Sequence, residues 1–550
     1  MAVSLFDAVR DEFRCTKSLA SPGCALDRPA SLVSAGTARQ TTIYRLLCFY
    51  VNNCGILLDD SQRKKYHNRK KKGGIGMAFL IPVAVILAFI VFCALMTTGD
   101  PLNPTRPLMS YDQARDHARK LQQLIRCRTV SGEDAAFEEF HATVAECFPM
   151  LHQSCQVMTL GHGCRVYVLP GLDEEKNILF LGNHDVVPAE GEWKHPPFSG
   201  TIADGKLWGR GAVASKTSLY GIFAALEELL GEGVWPNCNV WIVSTADRES
   251  AGEGVKSAAE FFREQNIRFE LVLGDGGAVA DPPLKGMYCP KCAMVGIHER
   301  QTHRLTLKAT VDAASNATPT ERMAELISAI RAQPLFIRRL TPRVEEMFRA
   351  MTPYMRFSGK ILFANLWCFR PQAVKKMPRI APQYDALMGT DCRFNHIETQ
   401  DGGNACVATL ELHSVHREDW ERDLEAVRNL ARNHGIEVTA EEAIAGIAPA
   451  DTGQPGYDAV TQSIRSVFPD VPVIPAVLPF GTEALTMTEF SDCVLRFVPL
   501  RLTAQQEAAA RGQDENIDIT AIGACISFYR RLLEQYTSVW EEETNEQSEE

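Results

Sequence analysis

Residues 177–185, Asn-Ile-Leu-Phe-Leu-Gly-Asn-His-Asp, constrain the fold more than any other stretch of the chain. Four consecutive apolar residues, Ile178 to Leu181, make a run of strand length, and Gly182 ends it. Asn183, His184 and Asp185 then fall at the carboxyl end of a strand, where open α/β sheets present polar side chains to a crevice. Successive strand side chains point to opposite faces, so His184 looks away from where Asn183 looks. Two more runs of this kind, Val240–Ser244 and Leu271–Leu273, are each followed by polar or glycine residues and then by helical spacing. That alternation predicts an α/β sheet with helices on both faces.

The first strand leads into a long ordered string of motifs: DVVPA from Asp185, WKHPPFSG from Trp193, GRGA from Gly209, and Lys216 at the head of an apolar-faced helix. In this order they resemble the aminoacylase and carboxypeptidase S family of two-zinc exopeptidases, which release a C-terminal amino acid from an acyl or peptidyl group. The resemblance implies a mixed-sheet catalytic domain interrupted by a smaller α+β lid and dimerisation domain. Amide hydrolysis by two zinc ions needs a bridging carboxylate, further ligands on each metal, and a free carboxylate to take a proton from the bound water.

The family's chemical positions map onto unsuitable side chains here. Asn183 stands where the first histidine ligand is expected, Ala214 where the bridging aspartate is, Gly274 where an aspartate ligand is, and Thr486 where the last histidine is. Arg248 occupies the general-base position, and Ser315 falls at the lid's substrate-contacting histidine. Glu249 is the one ligand retained, and Asp185 matches a residue that orients a ligand histidine in relatives. One carboxylate does not hold a catalytic zinc, which takes about three protein ligands. The expectation is therefore a catalytically inactive relative without a cofactor. Arg248 would neutralise Asp185, Asp247, Glu249 and Asp275, because a guanidinium suits paired carboxylates. The alternative is a working carboxypeptidase or aminoacylase with a rearranged zinc site that recruits His184 with Glu249 and Asp275.

Composition limits the remaining choices. A net charge of −11, with 45% hydrophobic and 23% charged residues, describes ordinary globular protein and excludes a basic nucleic-acid surface. Met77 to Met96 carries no charge over a length that crosses a hydrocarbon core of about 30 Å. Arg63, Lys64, Lys65 and Arg69 to Lys72 precede it, so the positive-inside rule keeps the N-terminus cytosolic and puts the large body in the lumen or outside. Asn316-Ala-Thr318 is then a usable glycosylation sequon. Cys289-Pro-Lys-Cys292 is a single CxxC with no second pair at zinc-finger spacing, open to a loop disulfide, plain thiols, or a redox or metal role.

The expected order is a cytosolic tail (1–76), a signal anchor (77–97), a linker (98–110), a catalytic-like domain in two halves (111–299 and 439–536), the lid between them (300–438), and an acidic tail (537–550). In the lid, Leu305–Val311 and Val407–Leu412 alternate as strands, and Thr320–Ala332, capped by Thr320, and Glu418–Asn433 have helical spacing. The sequence reading is a membrane-anchored pseudopeptidase that binds a peptide, an amino-acid derivative or a protein partner, and that forms a homodimer through the lid as relatives do.

Overall fold

The structure, a computed structural model, describes residues 77–537 apart from 133, 250–251, 313–315, 333–334, 416 and 441–448. The N-terminal tail, Ser315 and the acidic tail beyond residue 537 lie outside the described residues. The chain divides into two compact units, Met1–Leu87 and Ala88–Glu550. Helix α1, Met77–Leu95, carries no charged residue, and its side chains are described from Val83 onward. Among the described residues no helix is long and apolar enough to cross a membrane.

The larger unit is built on an eight-stranded mixed sheet. Its strands are β1 (Gln156–Thr159), β2 (Arg165–Leu169), β3 (Asp173–Asn183), β6 (Cys238–Thr245), β7 (Leu271–Ala280), β8 (Cys292–Glu299), β13 (Val473–Leu478) and β14 (Val494–Arg501), in the order β1-β2-β6-β3-β7-β14-β8-β13. The central strand β3 runs parallel to both β6 and β7, so the three expected buried strands lie side by side. The period of two along β3 decides what covers it. Ile178 and Phe180 enter a core shared with helices α2 (Tyr111–Arg126), α4 (Lys216–Gly231), α11 (Pro455–Val467) and α12 (Ile519–Glu534). Leu179 and Leu181 face the other way, onto helix α5 (Glu253–Glu264). Helix α3 (Asp134–Cys147) adds Phe140 and Val144 to the first core. A small sheet of β4 (Thr201–Ala203), β5 (Lys206–Trp208) and β15 (Asn516–Asp518) borders this layer.

A separate four-stranded antiparallel sheet, β10-β11-β9-β12, interrupts the large one. It comprises β9 (Gln301–Thr310), β10 (Asp391–Gln400), β11 (Ala405–Ser414) and β12 (Ile436–Ala440). Along β9 every second residue is buried, and Leu305, Leu307 and Ala309 pack under helices α6 (Pro319–Ala332) and α10 (Arg417–Asn433). The cap of α6 is Thr318 rather than Thr320. Its hydroxyl and the Glu321 side chain serve each other's backbone N–H in a capping box, and that fixes the helix start two residues earlier.

The stretch between α6 and β10 does not join the four-stranded sheet. It forms helices α7 (Pro342–Met351), α8 (Phe357–Phe363) and α9 (Leu366–Ile380), whose Phe348, Phe363 and Met377 share a core with Met294, Ile474 and Val477 of the large sheet. The last turns of α1 rest on these helices. Asn365 Nδ2 donates to the Ile90 carbonyl over 3.0 Å, and the rings of Phe89 and Trp367 lie 6.0 Å apart.

Candidate active-site cleft

The carboxyl ends of β3 and β6 and the middle of β7 bring Asn183, Asp185, Arg248, Glu249 and Asp275 together. Asn183 is fully buried and is the hub. Its Nδ2 donates to Asp185 Oδ1 over 2.9 Å, and its Oδ1 accepts from Ser215 Oγ at 2.6 Å and from Arg248 at 3.0 Å. Arg248 also pairs with Asp275 at 3.2 Å. Asp185 Oδ2 accepts from Ser131 Oγ and from the Glu249 backbone N–H, at 2.8 and 2.9 Å. The Ala214–Ser215 peptide beside this hub is cis.

A second arginine, absent from any reading of the motifs, completes the cluster. Arg511 reaches Glu249 from 262 residues along the chain, with Nε at 2.8 and 2.9 Å and Nη2 at 2.6 Å from the carboxylate oxygens. The two arginines therefore engage two acids as separate pairs, Arg248 with Asp275 and Arg511 with Glu249. Asp247 is not part of the group. Its carboxylate accepts from the Glu253 and Gly254 N–H groups and caps helix α5, a role set by the unpaired donors of a helix's first turn.

Glu483 joins the cluster from the turn Glu483–Glu489. Its Oε2 accepts from Thr245 Oγ1 at 2.9 Å, while Oε1 is buried without a hydrogen-bond partner among the described residues. Burial outweighs the attraction of Arg248 and pushes this carboxyl up to about 8, so it carries a proton at neutral pH. Burial likewise raises Asp185 and, against the pull of Arg248, Asp275.

The remaining positions are closed or face elsewhere. His184 is turned by the pleat away from Glu249 and Asp275. Its Nδ1 lies 2.7 Å from Ser244 Oγ, its ring stacks on Phe140, and it meets His141 at 4.6 Å. Burial and the neighbouring His141 drive its basicity well down, which keeps the imidazole neutral. The rearranged group of His184, Glu249 and Asp275 is thus not assembled. At Gly274 an added Cβ would stand 3.0 Å from Ala484 Cβ and 3.7 Å from Leu181, so a side chain there would require Ala484 to give way by a few tenths of an ångström. Ala214 contributes only its N–H, which together with that of Val213 donates to Glu515. Glu515 is itself fully buried and paired with Arg210 at 3.0 Å. Thr486 sits in the turn that carries Glu483. Lys216 is buried, and its ammonium donates to the carbonyls of Leu124 and Cys127, with burial bringing it down to about 7; it ties α4 to α2 rather than facing the cleft. Among the described residues no three His, Cys, Asp or Glu side chains form a group that could hold a metal ion.

Comparison with known proteins places this cleft in a lineage. The model of peptidase family M20/M25/M40 matches residues 179–535, more than half of the chain. The chain is 26% identical over 437 residues to probable carboxypeptidase S-like 2 of Dictyostelium discoideum, covering 76% of this chain and 84% of that protein. It is 26% identical over 489 residues to the N-fatty-acyl-amino acid synthase/hydrolase PM20D1 of Xenopus tropicalis, covering 83% and 94%. Among solved structures, the M20 family metallo-carboxypeptidase Sso-CP2 of Sulfolobus solfataricus superposes with a TM-score of 0.55 at 16% identity, covering 76% of this chain and 99% of that one. The di-peptidase Dug1p of Saccharomyces cerevisiae superposes with a TM-score of 0.52 at 12% identity, over 78% and 97%.

Proposed function

Because the chain belongs to peptidase family M20/M25/M40, we propose that its cleft keeps the family's recognition of a peptide or N-acyl amino acid while arginines stand in place of the metal ions, so that the ligand is bound and not hydrolysed. The observation that carries this reading is the pairing of Arg248 with Asp275 and of Arg511 with Glu249. Acids grouped in a cleft need cations. Zinc supplies them in a hydrolase, and here guanidinium groups supply them from the chain itself. The donor set does not fit a two-zinc centre: Asn183 offers an amide already committed to Asp185, Ser215 and Arg248, Glu249 is engaged by Arg511, and Gly274 has no side chain to offer. No hydrolytic step is therefore routed through a metal.

The relatives' names favour a second reading. A carboxypeptidase S-like protein and an N-fatty-acyl-amino acid synthase/hydrolase are both named for enzymes, and similarity alone supports a working hydrolase that releases an amino acid. One experiment separates the two. The full-length chain in detergent is incubated with N-acyl amino acids and dipeptides, with and without zinc and chelator, while amino-acid release and thermal shift are followed. The binding reading expects a ligand-dependent thermal shift and no release. Chelator-sensitive release of amino acid overturns it in favour of the hydrolase.

The surroundings of the cleft form part of the proposal. Met77–Met96 anchors the chain in a membrane with the body on the lumenal or outer side, the lid sheet supplies a homodimer contact, and Asn316, which is exposed, accepts a glycan.

A further inference from the structure

We infer that Cys289 and Cys292 are a dithiol site that a disulfide oxidant closes into a disulfide, fastening the loop at 281–291 onto the first residue of β8. The inference stands apart from the reading of the cleft. The two sulfurs are already in contact at 3.4 Å, and both residues are buried, at 4% and 0% exposure. Rotation of the side chains has to close only about 1.4 Å to reach a bond of roughly 2.05 Å. A metal role is disfavoured because two thiolates leave a structural site half filled, and no third His, Cys, Asp or Glu joins them among the described residues.

The loop that carries the pair is a joint between two parts of the core. Tyr288 N–H donates to the Tyr354 carbonyl over 2.9 Å, and Arg356 N–H donates to the Gly286 carbonyl over 2.8 Å, which binds the loop to the segment between α7 and α8. Lys291 Nζ donates to the Leu502 carbonyl over 2.6 Å, just beyond β14. Cys292 opens β8, so a bond to Cys289 would pin this joint to the large sheet. Either sulfur can be the donor in this contact, and Cys289, at 4% exposure against 0% for Cys292, is the sulfur that an oxidant in solvent reaches first, so it is taken as the attacking one.

With oxidised glutathione as the oxidant the chemistry balances. The Cys289 thiolate attacks one sulfur of the glutathione disulfide, forming a mixed disulfide and expelling one glutathione thiolate. Cys292 then loses its proton and displaces the second glutathione from the Cys289 sulfur. Two electrons pass to glutathione, and the protons of the two protein thiols end on the two released glutathiones.

The test equilibrates the full-length chain in detergent across a range of reduced to oxidised glutathione ratios, quenches with acid, alkylates, and maps peptides without reduction. The peptide holding both cysteines is expected to lose two hydrogens and become inert to alkylation in a single transition. Amide exchange at Tyr288 and Arg356 is expected to slow by roughly tenfold in the oxidised chain. In Cys289→Ser, Cys292 is expected to stay alkylatable at every ratio. Persistence of two alkylatable thiols in the folded chain at the most oxidising ratio overturns the site, as does pairing of either cysteine with a different partner. Equal exchange rates in the two states overturn the fastening.

Discussion

The Arg248 guanidinium bridges Asn183 and Asp275. Both members of the Arg248–Asp275 pair are mostly buried, at 17% and 12% side-chain exposure, so removing the cation strands a charge in a poorly solvated place. Arg248→Glu adds a second carboxylate beside the first. It is expected to lower stability by about 3 kcal/mol in the absence of metal, read as a fall in the urea midpoint; an unchanged midpoint would show that Arg248 compensates nothing. Glu483 gives a test with a pH signature. The folded chain holds its proton up to about pH 8, against an ordinary value of 4.5. Between those limits the unfolded chain has released a proton that the folded one keeps. Stability therefore falls as pH rises, by at most about 1.4 kcal/mol per pH unit from this group. Glu483→Gln removes that dependence: the variant is expected to exceed the parent in stability at pH 8 and to match it near pH 4.5. An advantage that is the same at both pH values would contradict the assignment.

At the scale of elements, β8, β14 and the turn holding Glu483 are joined by one buried ion pair. Glu299 and Arg496 are 0% and 1% exposed and 2.6 Å apart, and Glu299 also accepts from the Thr482 N–H and hydroxyl. Glu299→Leu leaves Arg496 buried without its carboxylate and is expected to cost about 3–5 kcal/mol, whereas Glu299→Leu with Arg496→Met recovers most of that loss. Additive losses in a double-mutant cycle would refute the coupling. Much at this scale was legible in the sequence. The apolar runs at Ile178, Val240 and Leu271 became the adjacent strands β3, β6 and β7, and the alternation at Leu305 became β9. Helices α7 to α9 were not legible, because α7 and α8 are short, at 10 and 7 residues, and Pro371 and Pro378 interrupt the helical spacing of α9. Arg511 and Glu515 were hidden for another reason. Their partners Glu249 and Arg210 lie some 260 to 310 residues earlier, and only the fold brings them together. The opposed directions of Asn183 and His184 followed from the strand's period alone.

Over the whole molecule, the cleft, the lid and the charge-free helix α1 are proposed to act in one orientation relative to a membrane. If the body is lumenal, Asn316 carries a glycan, and a peptide:N-glycosidase treatment of the chain from secretory membranes should shift its mobility while Asn316→Gln abolishes the shift. A body that is digested by protease added to sealed, cytosol-side-out vesicles would contradict that orientation. The family membership, the mixed sheet and the inserted four-stranded sheet frame all of this, but the chemistry turns on what neutralises the acids at the carboxyl ends of β3 and β6. The most direct measurement is the zinc content of the full-length chain, purified in detergent without chelator and then dialysed against micromolar zinc. Guanidinium groups in place of metal predict no stoichiometric zinc and an unfolding midpoint that zinc does not move; one or two tightly held zinc ions per chain, with a midpoint that rises on loading, would contradict it.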